Sequence, residues 1–556
     1  MSGRDEEAYI AALQNAYAHD GAADTKPVIG RLMARIKGIQ VGEAMKLAED
    51  AVRRVNGMTA GEQESELRRL APDALVREKK ERLSRLRELE GVKGDFTVRL
   101  APYPSGAPHI GNTRMFILND EYAKKYHGKL LLVFDDTIGS EEKFPDMESY
   151  RLIEEGLRWL GISWEGIYYK SDRLDIFYAW AERLIGKQIA YVCMCDAETL
   201  RKLREEGKEC EHRSHTLTQN LELWNKMIGG EFGDGQAILR AKTDMKHKNP
   251  AFRDRVLCRI STRKHPRVGT RYRVWPMLEF SWAVDDVELR MTHVIRGKEL
   301  VMEDMMENFI WDRMGIQGPK FEHFGLLRLK GVKISKSKSR AEVASGVYSG
   351  WEDPRTWSLQ SLAARGFRPE AIRNFMLSLG MSLSDIEVPV DSIYSENRKL
   401  LEPEAGRYFF VDDPVRVEIQ GLEGTVAVES YIHPDRPEMG RRTINAGRSV
   451  FISSGDFRAL EGKEVRLKDF CNVVLSGGTS KFTGRENKEI QRIQWVPADR
   501  NVKCTVVMPD GKIVSGLAEE NVANIPLNVP IQFERFGFVN PRDRDSGGLK
   551  LYYAHE

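Results

Sequence analysis

The 556-residue sequence predicts a multidomain α/β protein: a doubly wound parallel-sheet core with a helical extension before it and an all-β region after it. Three observations predict this. Up to about residue 94 the apolar residues recur at helical spacing, with no period-2 alternation. From Phe96 the pattern becomes strand, loop, helix, strand, with uniformly apolar strands. After about residue 397 short alternating segments are spaced by turns such as P-D-G-K. The length alone calls for three or four domains of roughly 100–200 residues each.

Taken in order, residues 1–94 form the N-terminal helical extension, with a last helix expected over Val76–Glu90, where Leu83, Leu86 and Leu89 share a face after Pro72-Asp73. F-T-V-R-L (Phe96–Leu100) reads as a strand, Ala101–Pro108 as a Pro/Gly/Ser loop, and Ile110 to Tyr126 as a helix that stops at His127-Gly128. Leu130–Phe134 is the next strand. Apolar strands joined by helices imply a Rossmann-type sheet covered on both faces, with ligands at the carboxyl ends of the strands, here Ala101–Asn112 and Asp135–Thr137. This first half of the core spans 95–190. A Cys- and charge-rich insertion follows over 191–274, and the α/β pattern resumes at R-V-W-P-M-L-E-F, giving the second half of the core over 275–330. Residues 331–396 carry a lysine-rich loop and a helical connecting region, and 397–556 read as β-barrels.

Composition narrows the function classes. Hydrophobic residues make up 41% and charged residues 30%, and no apolar run approaches the ~20 residues that span a bilayer, so no membrane role is expected. The start M-S-G-R-D-E-E-A-Y-I lacks a basic segment followed by an apolar one, which predicts a cytoplasmic protein. Six cysteines are too few to staple a chain this long, and four of them fall between Cys193 and Cys258, which points to local chemistry. A net charge of +2 neither demands nor excludes a nucleic-acid partner.

Two segments carry chemistry. Ala101-Pro-Tyr-Pro-Ser-Gly-Ala-Pro-His-Ile-Gly-Asn112 enters a helix whose N-terminus attracts anionic oxygens, while its glycines let the backbone approach a ligand closely. Lys333-Ile-Ser-Lys-Ser-Lys338 places three lysines and two hydroxyls on what reads as a mobile loop able to fold over a triphosphate. Cys193-Met-Cys195 and Cys210-Glu-His212 supply three thiolates and an imidazole, a full donor set for a closed tetrahedral zinc site.

The pairing of H-I-G-N with K-I-S-K-S resembles the H-I-G-H and K-M-S-K-S signatures of class I aminoacyl-tRNA synthetases. The contexts R-L-A-P-Y-P-S-G-A-P-H-I-G-N, V-F-D-D-T and T-H-V-I-R-G-K-E-L are similar to the glutamyl/glutaminyl branch, and the β-rich tail resembles its archaeal-type glutamyl members. The resemblance runs from about Phe96 to the C-terminal residues. It implies a glutamate–tRNA ligase that uses ATP with Mg2+, acts on tRNA(Glu), leaves tRNA(Gln) open as a second acceptor, and works as a monomer. It implies ATP contacts from Pro102, Pro104, Gly106, His109, Gly111, Asn112, Lys333, Ser335, Lys336 and Lys338, with His109 and Lys336 catalytic. It implies glutamate contacts from Arg99, Asp135 and Arg296, acceptor-end binding by the insertion, anticodon binding by the barrels, and one structural Zn2+ on Cys193, Cys195, Cys210 and His212. Arg441 and Arg442 are candidate anticodon contacts. Two departures stand out: Asn112 replaces a histidine of the first signature, and Leu278 replaces a tyrosine of the substrate pocket. Rival readings are a glutaminyl enzyme, opposed by Arg296; an adenylyl-transfer enzyme without tRNA, opposed by the long β-rich tail; and a non-catalytic paralogue, opposed by the presence of His109 and Lys336.

Overall fold

The computed structural model describes residues 3–18, 23–36, 39–71, 86–138, 144–332, 335–477 and 479–556. The chain falls into two compact units, Met1–Leu83 and Ser84–Glu556. In the first, α1 (Gly3–Ala18), α2 (Thr25–Arg35), α3 (Val41–Asn56) and α4 (Ala60–Leu70) enclose a core rich in alanine, including Ala8, Ala12, Ala44 and Ala48, together with Leu13, Val55 and Leu67. Small side chains let the helices approach closely. Thr59 starts α4 with a capping box: Glu62 N–H donates to Thr59 Oγ1, and Thr59 N–H donates to the Glu62 carboxylate.

Most of the helix expected over Val76–Glu90 lies outside the described residues, and its described end, 86–90, is not helical. Leu89 packs instead with Phe96 and Tyr122 in the core of the second unit, so residues 86–94 belong there rather than with the helical extension.

The second unit opens with β1 (Thr97–Leu100), α5 (Ile110–Lys125), β2 (Lys129–Phe134), α6 (Met147–Trp159) and β3 (Gly166–Tyr169). β1, β2 and β3 are parallel, with Arg99 opposite Leu131 and Leu131 opposite Gly166. After α7 (Leu174–Gly186) come β4 (Ala190–Cys193), α8 (Ala197–Glu206), α9 (Leu217–Gly229), β5 (Ile238–Ala241), β6 (Val256–Ile260) and β7 (Val274–Pro276), whose strands form one four-stranded antiparallel sheet. R-V-W-P is thus the last strand of the inserted sheet and not a return of the parallel one: Cys258 pairs with Pro276. A three-residue apolar strand carries no signal of which sheet it will join.

α10 (Leu278–Glu288) then leads back to β8 (His293–Gly297), α11 (Val301–Met314) and β9 (Lys320–Phe324). β8 and β9 are parallel, and Thr292 joins them to β1 by donating its N–H to the Thr97 carbonyl at 3.0 Å. The spatial order is therefore β3-β2-β1-β8-β9. The chain winds one way from β1 to β3 and the other way from β8 to β9, so the direction reverses between β1 and β8. That reversal is where doubly wound folds open a ligand crevice.

β10 (Leu327–Lys330), α12 (Lys336–Ala344), α13 (Leu359–Ala364), α14 (Pro369–Ser378), β11 (Ile386–Pro389) and α15 (Asp391–Leu401) connect the core to two seven-stranded, barrel-like sheets. These are nested. The chain lays Arg407–Tyr408 and Phe410–Asp412 into the first sheet, builds the whole second sheet between Pro414 and Pro497, and returns to finish the first with five strands from Asn501–Val507 to Gly548–His555. Arg365 fastens the first sheet to the connecting helices, donating to the carbonyls of Tyr553 and Ala554 at 3.0 and 2.7 Å while its guanidinium lies over Trp357. Among the described residues no helix is long and apolar enough to cross a membrane.

Candidate active site

The loop after β1 is held at both ends. Asp135 N–H donates to the Pro102 carbonyl at 3.1 Å and Asp146 N–H to the Pro104 carbonyl at 3.0 Å. Gly106 has φ +133°, and a Cβ there would meet the Trp351 ring at 2.7 Å, so only glycine fits. His109 is the N-cap of α5. Its Nδ1 accepts from Gly111 N–H at 3.0 Å, and its own N–H donates to Asn112 Oδ1 at 3.0 Å. Asn112 thus completes a capping box on the helix that aims at the loop. Gly111 lets the imidazole fold back, since a Cβ there would meet the ring at 2.9 Å.

Lys336 reaches the same loop, donating Nζ to the Tyr103 carbonyl at 3.0 Å. A cavity of about 700 Å3 lies here, lined among others by Pro102, Tyr103, Asn112, Lys336 and Arg340. Burial, reinforced by the Lys336 charge, holds the His109 imidazole down to about 4, so it is neutral at physiological pH. K-I-S-K-S is not all loop. Ser335 caps α12, accepting from Lys338 N–H at 3.4 Å, so Lys336 and Lys338 start a helix whose positive end faces the cavity. Ser335 and Lys338 are exposed, and Lys333 lies outside the described residues.

The expected glutamate contacts gather in a second, buried cluster at the β1–β8 reversal. Arg99 makes a two-pronged ion pair with Asp286 of α10, one prong at 2.8 Å. Asp135 accepts from Lys170 Nζ at 2.9 Å, and Lys170 also donates to Ser281 Oγ at 2.6 Å. Arg296 is not waiting alone. It donates to Asp304 through Nε at 2.8 Å and to Glu307 through Nη2 at 2.7 Å, both on α11, leaving Nη1 without a hydrogen-bond partner among the described residues. Burial pushes the Glu307 carboxyl up to about 8 against the pull of Arg296. Sequence reasoning missed Lys170, Ser281, Trp282, Asp286, Asp304 and Glu307. The adjacent acids of A-V-D-D in an otherwise apolar helix were the readable signal.

The Cys/His set converges. All four ligand atoms lie within 4.8 Å of one another, with Cys193 Sγ 3.7 Å from Cys210 Sγ and Cys195 Sγ 3.3 Å from His212 Nδ1. A tetrahedron with Zn–S bonds of about 2.3 Å has edges of about 3.8 Å, so the donor set fits zinc. Arg240 Nη1 lies 3.8 and 3.6 Å from the sulfurs of Cys193 and Cys210, where it would offset the surplus negative charge of three thiolates around a bound zinc. Of the two tail arginines, Arg441 is exposed beside Tyr431, but Arg442 is buried in an ion pair with Glu519 at 2.6 Å and is not available to RNA.

Residues 95–403, more than half of the chain, match the family described as tRNA synthetases class I (E and Q), catalytic domain, and the chain belongs to this family. Residues 405–493 and 492–542 match its two anticodon-binding domains. The chain is 41% identical to "Glutamate--tRNA ligase" of Methanothermobacter marburgensis, covering 99% of both chains, and 40% identical to "Glutamate--tRNA ligase" of Thermococcus onnurineus, covering 98% of both.

Proposed function

We infer that the protein is a glutamate–tRNA ligase: it activates glutamate with ATP to glutamyl-adenylate and passes the glutamyl group to the 2′-hydroxyl of the terminal adenosine of tRNA(Glu), releasing AMP and pyrophosphate. The observation that carries this reading is the full-length likeness to glutamate–tRNA ligases at 41% identity, which includes both barrel-like sheets. The meeting of Lys336 and Asn112 at one cavity, with the Lys336 charge near enough to depress the His109 imidazole, supports it.

The glutamate carboxylate is already a nucleophile, so the protein supplies position and charge rather than a covalent intermediate. Pro102, Pro104 and Gly106 shape the loop that would receive ATP. Gly111 and Asn112 would bring the positive end of the α5 dipole close to the phosphates. His109 would donate to the α-phosphate and Lys336 would neutralise charge on the departing pyrophosphate, with Lys333, Ser335 and Lys338 alongside. Mg2+ enters with ATP. Arg99 would meet the α-carboxylate, since its bonds to Asp286 use two of five N–H donors, and Asp135 would meet the ammonium with the lone pairs that Lys170 leaves. Arg296 would read the side-chain carboxylate through its open Nη1.

Zinc on Cys193, Cys195, Cys210 and His212 would brace the insertion that grips the acceptor end. It has no open coordination position for chemistry. The enzyme would act as a cytoplasmic monomer. The test is charging of purified tRNA(Glu) and tRNA(Gln) with labelled glutamate and glutamine. Glutamate on tRNA(Glu) is expected, glutamate on tRNA(Gln) would add the second acceptor, and glutamine on either would overturn the reading.

A further inference from the structure

We propose that Trp282 is a specificity-determining residue of the amino acid pocket, its indole N–H donating to the side-chain carboxylate of glutamate beside Arg296; this rests on the glutamate reading above. Trp282 lies on α10, 5% exposed, at the point where the sheet reverses direction. Three cations from three segments surround its ring: the Arg296 guanidinium 4.8 Å, the Arg99 guanidinium 5.0 Å and the Lys170 ammonium 5.2 Å from its centre. The electron-rich face of an indole attracts each of them and offsets their mutual repulsion. Each cation also has a carboxylate partner, Arg99 with Asp286, Lys170 with Asp135 and Arg296 with Asp304 and Glu307, so what gathers around the ring is a set of donor groups already fixed in place rather than net positive charge.

The hydrogen-bonding surplus says which ligand they fit. Trp282 Nε1 and Arg296 Nη1 are both buried donors without hydrogen-bond partners among the described residues. Each is costly to leave unpaired. Among the described residues the indole N–H groups of Trp224 and Trp275 also lack partners, but they lie in the apolar core of the inserted domain, whereas Trp282 stands among charges. One carboxylate, with two acceptor oxygens, satisfies an indole N–H and a guanidinium N–H together. A carboxamide presents a single acceptor oxygen that both donors must share, carries no charge to meet the guanidinium, and adds two donors of its own. The pair therefore selects glutamate over glutamine. Leu278, one turn earlier on the same helix, offers no polar atom to either ligand.

The experiment compares wild type with Trp282→Phe and Trp282→His in tRNA(Glu) charging, varying glutamate and ATP separately. Phe keeps the aromatic face and loses the N–H; His keeps a ring and a donor. The Phe variant is expected to raise KM for glutamate at least about tenfold, to narrow the preference over glutamine, and to keep KM for ATP and the melting temperature within error. The His variant is expected to recover part of the loss. A Phe variant with wild-type KM for glutamate overturns the role of Trp282 while the glutamate reading stands, and a wild type that does not charge glutamate overturns both. If the Phe variant does not fold, wild type labelled with 15N in its ten tryptophan rings is titrated with glutamate. One indole N–H resonance shifting on saturation supports the proposal, and none shifting overturns it.

Discussion

The main-chain N–H of Gly111 donates to Nδ1 of His109 at 3.0 Å. A ring nitrogen that accepts carries no proton, so the neutral imidazole of His109 holds its hydrogen on Nε2. The helix N-terminus thus fixes the tautomer and leaves one neutral donor for a phosphate oxygen. His109→Gln, whose amide nitrogen reaches roughly where Nε2 lies, is expected to keep more activity than His109→Asn. Loss of the donor altogether is worth ~10²–10³ in rate. Single-turnover charging rates for the two variants check this order.

The same histidine gives a pH dependence. Its folded pKa, about 4, lies below the ordinary value, so between about 6.5 and 4 the unfolded chain binds a proton that the folded one refuses. The stability this group contributes is present above about pH 6.5 and is lost as the pH falls toward 4. His555, also held down to about 4 by burial, acts in the same direction. Melting temperature followed from pH 7 to 4.5 should fall, and His109→Gln should fall less steeply than wild type.

Lys336→Ala is expected to slow adenylate formation by ~10²–10³ while changing ATP affinity much less, because its charge matters most as negative charge builds on the leaving group. Pre-steady-state measurement separates the two. Losses of tenfold or less, shared equally between rate and affinity, would remove Lys336 from the chemistry.

Arg296→Ala should do more than raise KM for glutamate. It takes the guanidinium away from buried Asp304 and Glu307, leaving Asp304 to His323 2.6 Å away and Glu307 to hold its proton, and breaking a buried pair by removing one partner costs up to about 3–5 kcal/mol. A clear drop in melting temperature is expected together with the rise in KM. A higher KM at unchanged stability would mean that the two acids are not held by the arginine.

About one zinc per chain is expected on metal analysis, and Cys195→Ser should lose it, soften the insertion on thermal melting and impair charging mainly through tRNA. Protein purified without chelators yet free of zinc would make the four residues an unmetallated cluster.

Much of this was written in local pattern. The loop from Ala101 to Asn112, the uniformly apolar Leu130–Phe134 and the C-x-C and C-x-H pairs declare themselves within a few residues, and the structure gathers the four Cys/His ligand atoms together. The start of α12 was readable too, because Ser335 is a helix-capping residue type, but three lysines drew attention to charge first. The partners of Arg296 were not readable. Asp304 and Glu307 stand three apart on α11, as residues on one helix face do, but which buried cation that face meets is set by how α11 packs on β8. Nor could the nesting of the two sheets be foreseen, since each short strand reads alike whichever sheet it joins.

That nesting bears on how the protein is made. The second sheet lies within one continuous stretch, Pro414–Pro497, and can close as soon as that stretch has left the ribosome. The first must hold its opening strands, Arg407–Tyr408 and Phe410–Asp412, unpaired until Asn501–His555 arrives about a hundred residues later, and such distant pairings form slowly. Tyr553 and Ala554, which accept from Arg365, emerge only after the inner sheet is complete. A nascent chain stalled before residue 537 would carry a finished inner sheet and a core still lacking its clasp, leaving the exposed strand edges of the outer sheet as the segment most in need of a chaperone.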